Sequence, residues 1–171
     1  MRLRVALAVA LLVTSVHWVV ASREARAMAS LDPFQVGGSF SVRLQGISEP
    51  PEGCWTAFIV EPGCAGCRNL AAAVGQDVVA HERVNIVWIV AAGLDEATRF
   101  AAGHSLPPER TFFLEAAKRA PPVRVLRRLG IPGVPTRVVV SSSPRMVLDI
   151  ELGGAVPEDS TYAALCTRPP G

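Results

Sequence analysis

Two apolar patterns alternate along this chain. The first is a nearly unbroken run, seen in Cys54-Trp55-Thr56-Ala57-Phe58-Ile59-Val60, which Pro62-Gly63 stops, and again in Val84-Asn85-Ile86-Val87-Trp88-Ile89-Val90. Each run is too short for a typical helix and has no polar face, as expected of a strand covered on both sides in a parallel sheet. The second pattern is helical spacing. Cys67, Leu70, Ala71, Val74, Val78 and Val79 recur three or four residues apart and predict a helix whose first turn holds Cys64 and Cys67. Leu94 to Ala102 predicts another, with Asp95 and Glu96 in its first turn, where carboxylates complement the dipole, and Gly103 just past its end.

Strand, helix, strand, helix in that order predicts an α/β domain with a parallel strand pair and helices on the sheet faces. Downstream the pattern weakens, and Thr111 to Ala120 fits a strand end or a short helix equally well. Pro122 to Leu129 predicts a short basic helix closed by Gly130, and Thr136 to Ser141 a strand. In Arg145 to Leu152, Met146, Leu148 and Ile150 alternate with Arg145, Val147, Asp149 and Glu151, the half-exposed pattern of an antiparallel edge hairpin. Gly153-Gly154 ends it, and Glu158 to Cys166 predicts a last short helix. Upstream, the Gly-, Ser- and Pro-rich stretch from Ala29 to Pro51 reads as a tether with one strand or hairpin around Ser39 to Leu44. There is no internal repeat and no low-complexity tract.

The first residues carry a different message. Met1-Arg2-Leu3-Arg4 precedes an uncharged, largely apolar run from Val5 to about Ala21, the outline of an export signal. A run of roughly 17 residues is at the short edge of a bilayer span. Ala25-Arg26-Ala27 has the small-x-small form of a cleavage site, but Arg23, Glu24 and Arg26 crowd it. A retained membrane anchor and a cleaved signal both remain open, and both deliver the domain outside the cytoplasm. Residues 1–27 are accordingly set apart from a single domain over 28–171, which at 50 % apolar content can bury one core. The formal charge of +2 belongs to the leading segment: the remainder holds 13 basic and 14 acidic residues. No nucleic-acid partner is expected from that balance.

Four cysteines in an exported chain can persist as disulfides. Cys54 and Cys166 stand alone, whereas Cys64 and Cys67 form C-x-x-C at a helix start. There the free N–H groups and the dipole favour a thiolate on Cys64, and two intervening residues let Cys67 close the bond. Cys64 is then the exposed nucleophile and Cys67 the more buried resolving thiol, with Arg68 either a favourable charge or an ordinary surface residue. Zinc is the main competitor for such a pair, although a zinc site usually has two close pairs. A structural Cys64–Cys67 bridge is a further alternative. Cys54 and Cys166 fit a disulfide or two buried thiols equally well. His81 and His104 stand at no ligand spacing and read as surface residues, as does the basic group Lys118, Arg119, Arg124, Arg127 and Arg128.

Two segments together carry a resemblance. A buried strand leading into Glu61-Pro62-Gly63-Cys64-Ala65-Gly66-Cys67-Arg68, followed far downstream by Leu129-Gly130-Ile131-Pro132-Gly133-Val134-Pro135-Thr136, is similar to the thioredoxin family over about residues 54 to 152. The resemblance implies a thioredoxin-like fold, a central mixed sheet flanked by helices, here preceded by the N-terminal apolar segment. It implies that Pro135 is a cis-proline beside the cysteines, although Pro135 can also be read as a strand-entry proline. It further implies that Val134 offers its backbone to an extended substrate and that Ala65 and Gly66 touch it. Three positions depart from the usual pattern. Gly63 replaces the Trp before the first cysteine, Ala65-Gly66 replaces Gly-Pro, and Phe58 replaces the buried acid. Glu61 can take over the acid's work or be a solvated loop residue.

With the apolar N-terminus, the resemblance narrows to tethered extracytoplasmic proteins, some of which reduce apocytochrome c. The expected function is thiol–disulfide exchange with protein substrates through the Cys64–Cys67 pair. No cofactor or metal is required, a membrane redox partner supplies or takes electrons, and the site faces the periplasm or its equivalent. The alternatives are a copper- or zinc-binding module using Cys64 and Cys67, and a tethered interaction domain without redox activity.

Overall fold

The computed structural model describes residues 2–29, 31–76, 85–141, 144–156 and 158–167. Val78, Val79, His81 and Val84, named above, lie outside them. A long helix α1 (Arg2–Ala29) comes first, followed by six strands and four helices: β1 (Leu44–Gln45), β2 (Trp55–Val60), α2 (Ala65–Gln76), β3 (Ile86–Val90), α3 (Leu94–Gly103), β4 (Thr111–Leu114), α4 (Pro122–Arg128), β5 (Thr136–Val140), β6 (Val147–Leu152) and α5 (Asp159–Thr167). The strands form one mixed sheet in the order β1-β4-β3-β2-β5-β6.

The two unbroken apolar runs become neighbouring parallel strands, with Phe58 opposite Trp88 and Ile59 opposite Ile89. Every residue of β2 and β3 is buried, which is why neither run needed a polar face. The chain steps β2-α2-β3-α3-β4 in one direction across the sheet, and two right-handed crossovers in the same direction put both helices on one face. Cys67, Ala71 and Val74 of α2, Ala97 and Phe100 of α3, and Tyr162 of α5 accordingly share a core with Phe58, Val60 and Trp88. The opposite face is covered by α4 and by an extended segment. Leu31, Phe34, Phe40 and Val42 pack there with Val125, Leu126 and Leu129.

Of the expected N-terminal strand or hairpin, the structure has an extended segment that ends in the short strand β1. Ser39 bridges Met146 at the β6 edge, while Leu44 pairs with Leu114 at the β4 edge, so the segment crosses the sheet face from one side to the other. Its aromatic residues anchor it: Phe34 stacks on Phe40 at 5.0 Å, and Phe40 meets Trp55 edge-on at 5.2 Å. Apolar burial holds it, together with the Phe34 N–H donating to the Leu129 carbonyl at 2.8 Å and backbone pairing at the two sheet edges.

Three further expectations are refined. Thr111 to Ala120 is both alternatives in turn, strand β4 followed by a 3-10 turn at Glu115–Lys118. Gly103 is the last residue of α3, and His104 follows it as the cap. In the edge hairpin, Val147 and not Met146 is the buried residue. Val140 pairs with Val147 but Val139 with Asp149, so Leu148 is an extra residue in the ladder. This bulge reverses the alternation, placing Val147 and Ile150 on the α4 face and Leu148 on the α2 face. Among the described residues, no helix is long and apolar enough to cross a membrane.

Cys54 and Cys166 are joined as a disulfide, with Cα atoms 5.6 Å apart and 112 positions between them in sequence. The bond ties the start of β2 to α5, and the Tyr162 hydroxyl donates to the Cys54 carbonyl beside it. Burial pushes the Tyr162 phenol above its usual 10.0, and a backbone hydrogen bond at Asn85 offsets part of that shift. Because the closed loop is long, removing the bond frees much unfolded-chain entropy. Replacing both cysteines by Ala should lower unfolding free energy by about 2–5 kcal/mol in urea melts. An unchanged midpoint and slope would show that the bond adds nothing.

Candidate active site

The second strand delivers the first cysteine. After Val60, the Glu61-Pro62-Gly63-Cys64 turn closes with the Cys64 N–H donating to the Glu61 carbonyl at 3.0 Å. The Cys64 carbonyl then accepts from the Arg68 N–H at 3.2 Å, which makes Cys64 the capping residue of α2. One of the free donors of that first turn, the Cys67 N–H, points at Cys64 Sγ from 3.1 Å. A sulfur at a helix cap thus occupies the place that a Ser or Asp oxygen normally fills. Cys64 and Cys67 are bonded to each other, with Cα atoms 5.2 Å apart. Cys64 is partly exposed, while Cys67 is fully buried against Phe58, Ala71 and Trp88. Arg68 turns back across the loop, donating from Nη1 to the Pro62 carbonyl at 3.1 Å.

The fifth strand delivers the other wall. It runs antiparallel to β2 with Thr136 opposite Ile59, so the residues just before it lie at the end of β2 where α2 begins. The Val134–Pro135 bond is cis, and the Val134 carbonyl oxygen lies 3.4 Å from Cys64 Sγ. Gly66 faces the same wall: a Cβ there would stand 3.4 Å from Pro135 Cδ and 3.9 Å from Cys64 Sγ. The sequence therefore brought together Cys64, Cys67, Gly66, Val134 and Pro135. Ala65 is exposed at the start of α2, and Gly63 borders open space.

The approach to this wall is also built from α4. Gly130, at φ +73°, donates to the Arg127 carbonyl at 3.1 Å, and Ile131 donates to the Leu126 carbonyl at 2.9 Å. This is a Schellman ending, which only a residue tolerant of positive φ completes cheaply. It turns the chain from α4 into the 131–135 loop. At the other end, the Pro135 carbonyl accepts from the Gly153 N–H at 2.7 Å, and Thr136 Oγ1 donates to the Gly133 carbonyl at 2.6 Å.

Beneath the cysteines the usual acid is absent. Phe58 is fully buried and lies 5.4 Å from the Trp88 ring. Glu61 is partly exposed at the turn. Among the described residues, Arg137 is the only buried charged side chain. Its Nη2 meets Asp149 and Glu151 at 2.6 Å each, and Nη1 donates to the Ala155 carbonyl at 3.0 Å. Arg137 stands two residues after Pro135 and opposite Phe58 in the ladder. Its sequence signal is a single charge inside an apolar strand, whose acidic partners on β6 only the sheet pairing identifies. Its bonds to β6 fix β5, and with β5 the loop that touches Cys64.

Among the described residues, no three potential metal ligands gather. Cys54 and Cys166, being bonded to each other, form no common ligand set with Cys64 and Cys67. His104 packs on Phe100, with ring centroids 4.7 Å apart.

No protein-family model and no curated protein sequence matches the chain. Solved structures do match. The solution structure of a thioredoxin-like protein in its oxidised form has a TM-score of 0.51 at 12 % identity, over 80 % of this chain and 95 % of that one. A secreted disulfide oxidoreductase of Mycobacterium tuberculosis gives 0.43 at 17 % identity, over 66 % and 80 %. The N-terminal domain of PilB from Neisseria gonorrhoeae gives 0.48 at 14 % identity, over 67 % and 76 %. The sheet order, the helices on its two faces and the first of these matches give the chain a thioredoxin-like fold.

Proposed function

We propose that the protein is a thiol–disulfide oxidoreductase working on protein substrates outside the cytoplasm, held at the membrane by residues 5–21. The observation that carries the chemistry is the sulfur at the cap of α2. Cys64 is partly exposed, its Sγ receives the Cys67 N–H at 3.1 Å and faces the Val134 carbonyl at 3.4 Å, and Cys67 is buried behind it. In the reduced protein, that N–H and the positive helix end favour the thiolate on Cys64. The Cys64 thiolate attacks a substrate disulfide, forming a mixed disulfide and releasing one substrate thiolate. Cys67 then attacks Cys64 Sγ and releases the second substrate sulfur. Two electrons pass to the substrate and Cys64–Cys67 closes, and the reverse sequence oxidises a substrate dithiol. A membrane redox partner resets the pair.

A protein substrate suits the surroundings. Gly63, Ala65 and Gly66 are exposed next to Cys64, and among the described residues no backbone group takes the Val134 N–H. An extended chain can pair there. The resemblance adds exported proteins, apocytochrome c among them, as the substrate class. Membrane attachment is supported by Arg2 and Arg4 before the uncharged run, and by Leu11, Leu12, Val13 and Trp18 on α1, all more than half exposed. Such an apolar surface is costly in water.

Site-by-site alkylation of the reduced protein near pH 6, read by mass spectrometry, should label Cys64 on the order of tenfold faster than Cys67. Cys67→Ser should trap a mixed disulfide with substrate and Cys64→Ser should trap none. Equal labelling, or trapping through Cys67, would reject the assignment.

The wall opposite Cys64 gives a separate test. Gly66→Ala fits at ordinary contact distance and should raise stability by about 0.5–1 kcal/mol by removing a helical glycine. Gly66→Val, which adds two methyl groups toward Pro135, should slow exchange with a protein disulfide on the order of tenfold. Its reaction with dithiothreitol should stay near wild type. Unchanged protein exchange would remove Gly66 from the substrate surface.

A further inference from the structure

The C-terminal end of α1 is fixed to the domain. Glu24 accepts from Arg124 Nη1 at 2.7 Å, and Met28 packs against the core beneath α4. This docking sets Arg23 and Arg26 beside Arg119, at the end of the 3-10 turn after β4. Among the described residues, these three arginines line a hollow of about 500 Å³. An adjoining hollow of about 250 Å³ shares Arg26 and Arg119 and adds Arg43, with Glu115 as the one carboxylate among the described residues that line it. Arg26 Nε donates to the Ser22 carbonyl at 3.2 Å. Among the described residues, no other side-chain hydrogen bond or ion pair engages Arg23, Arg26 or Arg119.

Three arginines line this hollow, and among the described residues that line it no carboxylate offsets them, so the hollow favours an anion from outside. The planar fork of arginine matches phosphate in two-point contacts. Position selects the source. The exposed apolar stretch of α1 runs to Val20, three residues or about 4.5 Å before Arg23. If that stretch lies in hydrocarbon, Arg23 and Arg26 reach the headgroup layer, and Trp18 sits at the interface where tryptophan is enriched. We infer that the Arg23–Arg26–Arg119 hollow binds the phosphate of an anionic phospholipid headgroup and thereby fixes how the domain lies on the membrane. The inference rests on the proposed attachment through residues 5–21.

The test uses the full chain reconstituted in nanodiscs of phosphatidylcholine alone or with phosphatidylglycerol. Arginine modification by phenylglyoxal is read residue by residue, with Arg99 on α3 as the internal reference. In the anionic discs Arg23, Arg26 and Arg119 should react on the order of fivefold more slowly, the fold-change matching one cation's attraction to an anionic surface. Arg99 should not change. Arg119→Gln should remove most of the protection at Arg23 and Arg26, and molar salt should erase it. Equal rates in both lipids overturn the headgroup site while leaving attachment intact. Protection by millimolar inorganic phosphate in neutral discs, without a response to anionic lipid, also overturns it. A chain that does not enter discs of either composition overturns the attachment itself.

Discussion

The candidate site depends on one register. β5 runs antiparallel to β2 with Thr136 opposite Ile59, and this places the end of the 131–135 loop against the start of α2. Neither half is a site alone. The capping turn can present Cys64 and hold its sulfur near the Cys67 N–H, but the second wall comes from a segment 70 positions away. A one-residue slip of β5 would reverse its faces, sending Val138 and Val140 to the α2 core and Arg137 to the α4 face. The sheet is pinned against this by burial on both faces and by the Arg137 contacts to Asp149, Glu151 and Ala155.

The same arrangement explains why this site can differ from a usual thioredoxin. With Phe58 where an acid is common, the layer beneath Cys67 is aromatic and apolar. In the proposed exchange, the thiolate on Cys64 leans on backbone donors at the helix cap. The one buried charge, Arg137, is neutralised by two carboxylates on β6 and serves the loop by holding its strand.

Much of this was legible in the residues because the signals were redundant. Unbroken apolar runs gave β2 and β3, since two-sided burial leaves no polar positions. Helical spacing and the C-x-x-C pair gave α2 and the place of Cys64, and the second wall was implied by the family resemblance that the Gly-Val-Pro-Thr segment carries. What stayed hidden depended on the partner in space. Leu148 is a bulge residue only because Val139 and Val140 pair as they do, and no alternation rule contains that information. The path of residues 31–45 across the sheet rests on Phe34, Phe40 and Trp55 meeting from distant positions. The Cys54–Cys166 bond likewise needed α5 to return to the start of β2. Arg137 was overlooked because a lone charge in a strand reads as an edge until its partners are seen.

The central claim is that one pair of cysteines exchanges electrons and the other holds the fold. Equilibrating the protein in glutathione or dithiothreitol buffers of graded potential, with both bonds followed by mass spectrometry, tests it most directly. The Cys64–Cys67 bond should titrate reversibly as a two-electron couple between about −300 and −100 mV, while Cys54–Cys166 stays closed throughout that range. A Cys64–Cys67 bond that stays closed over the whole range, or a Cys54–Cys166 bond that opens first, would contradict the account.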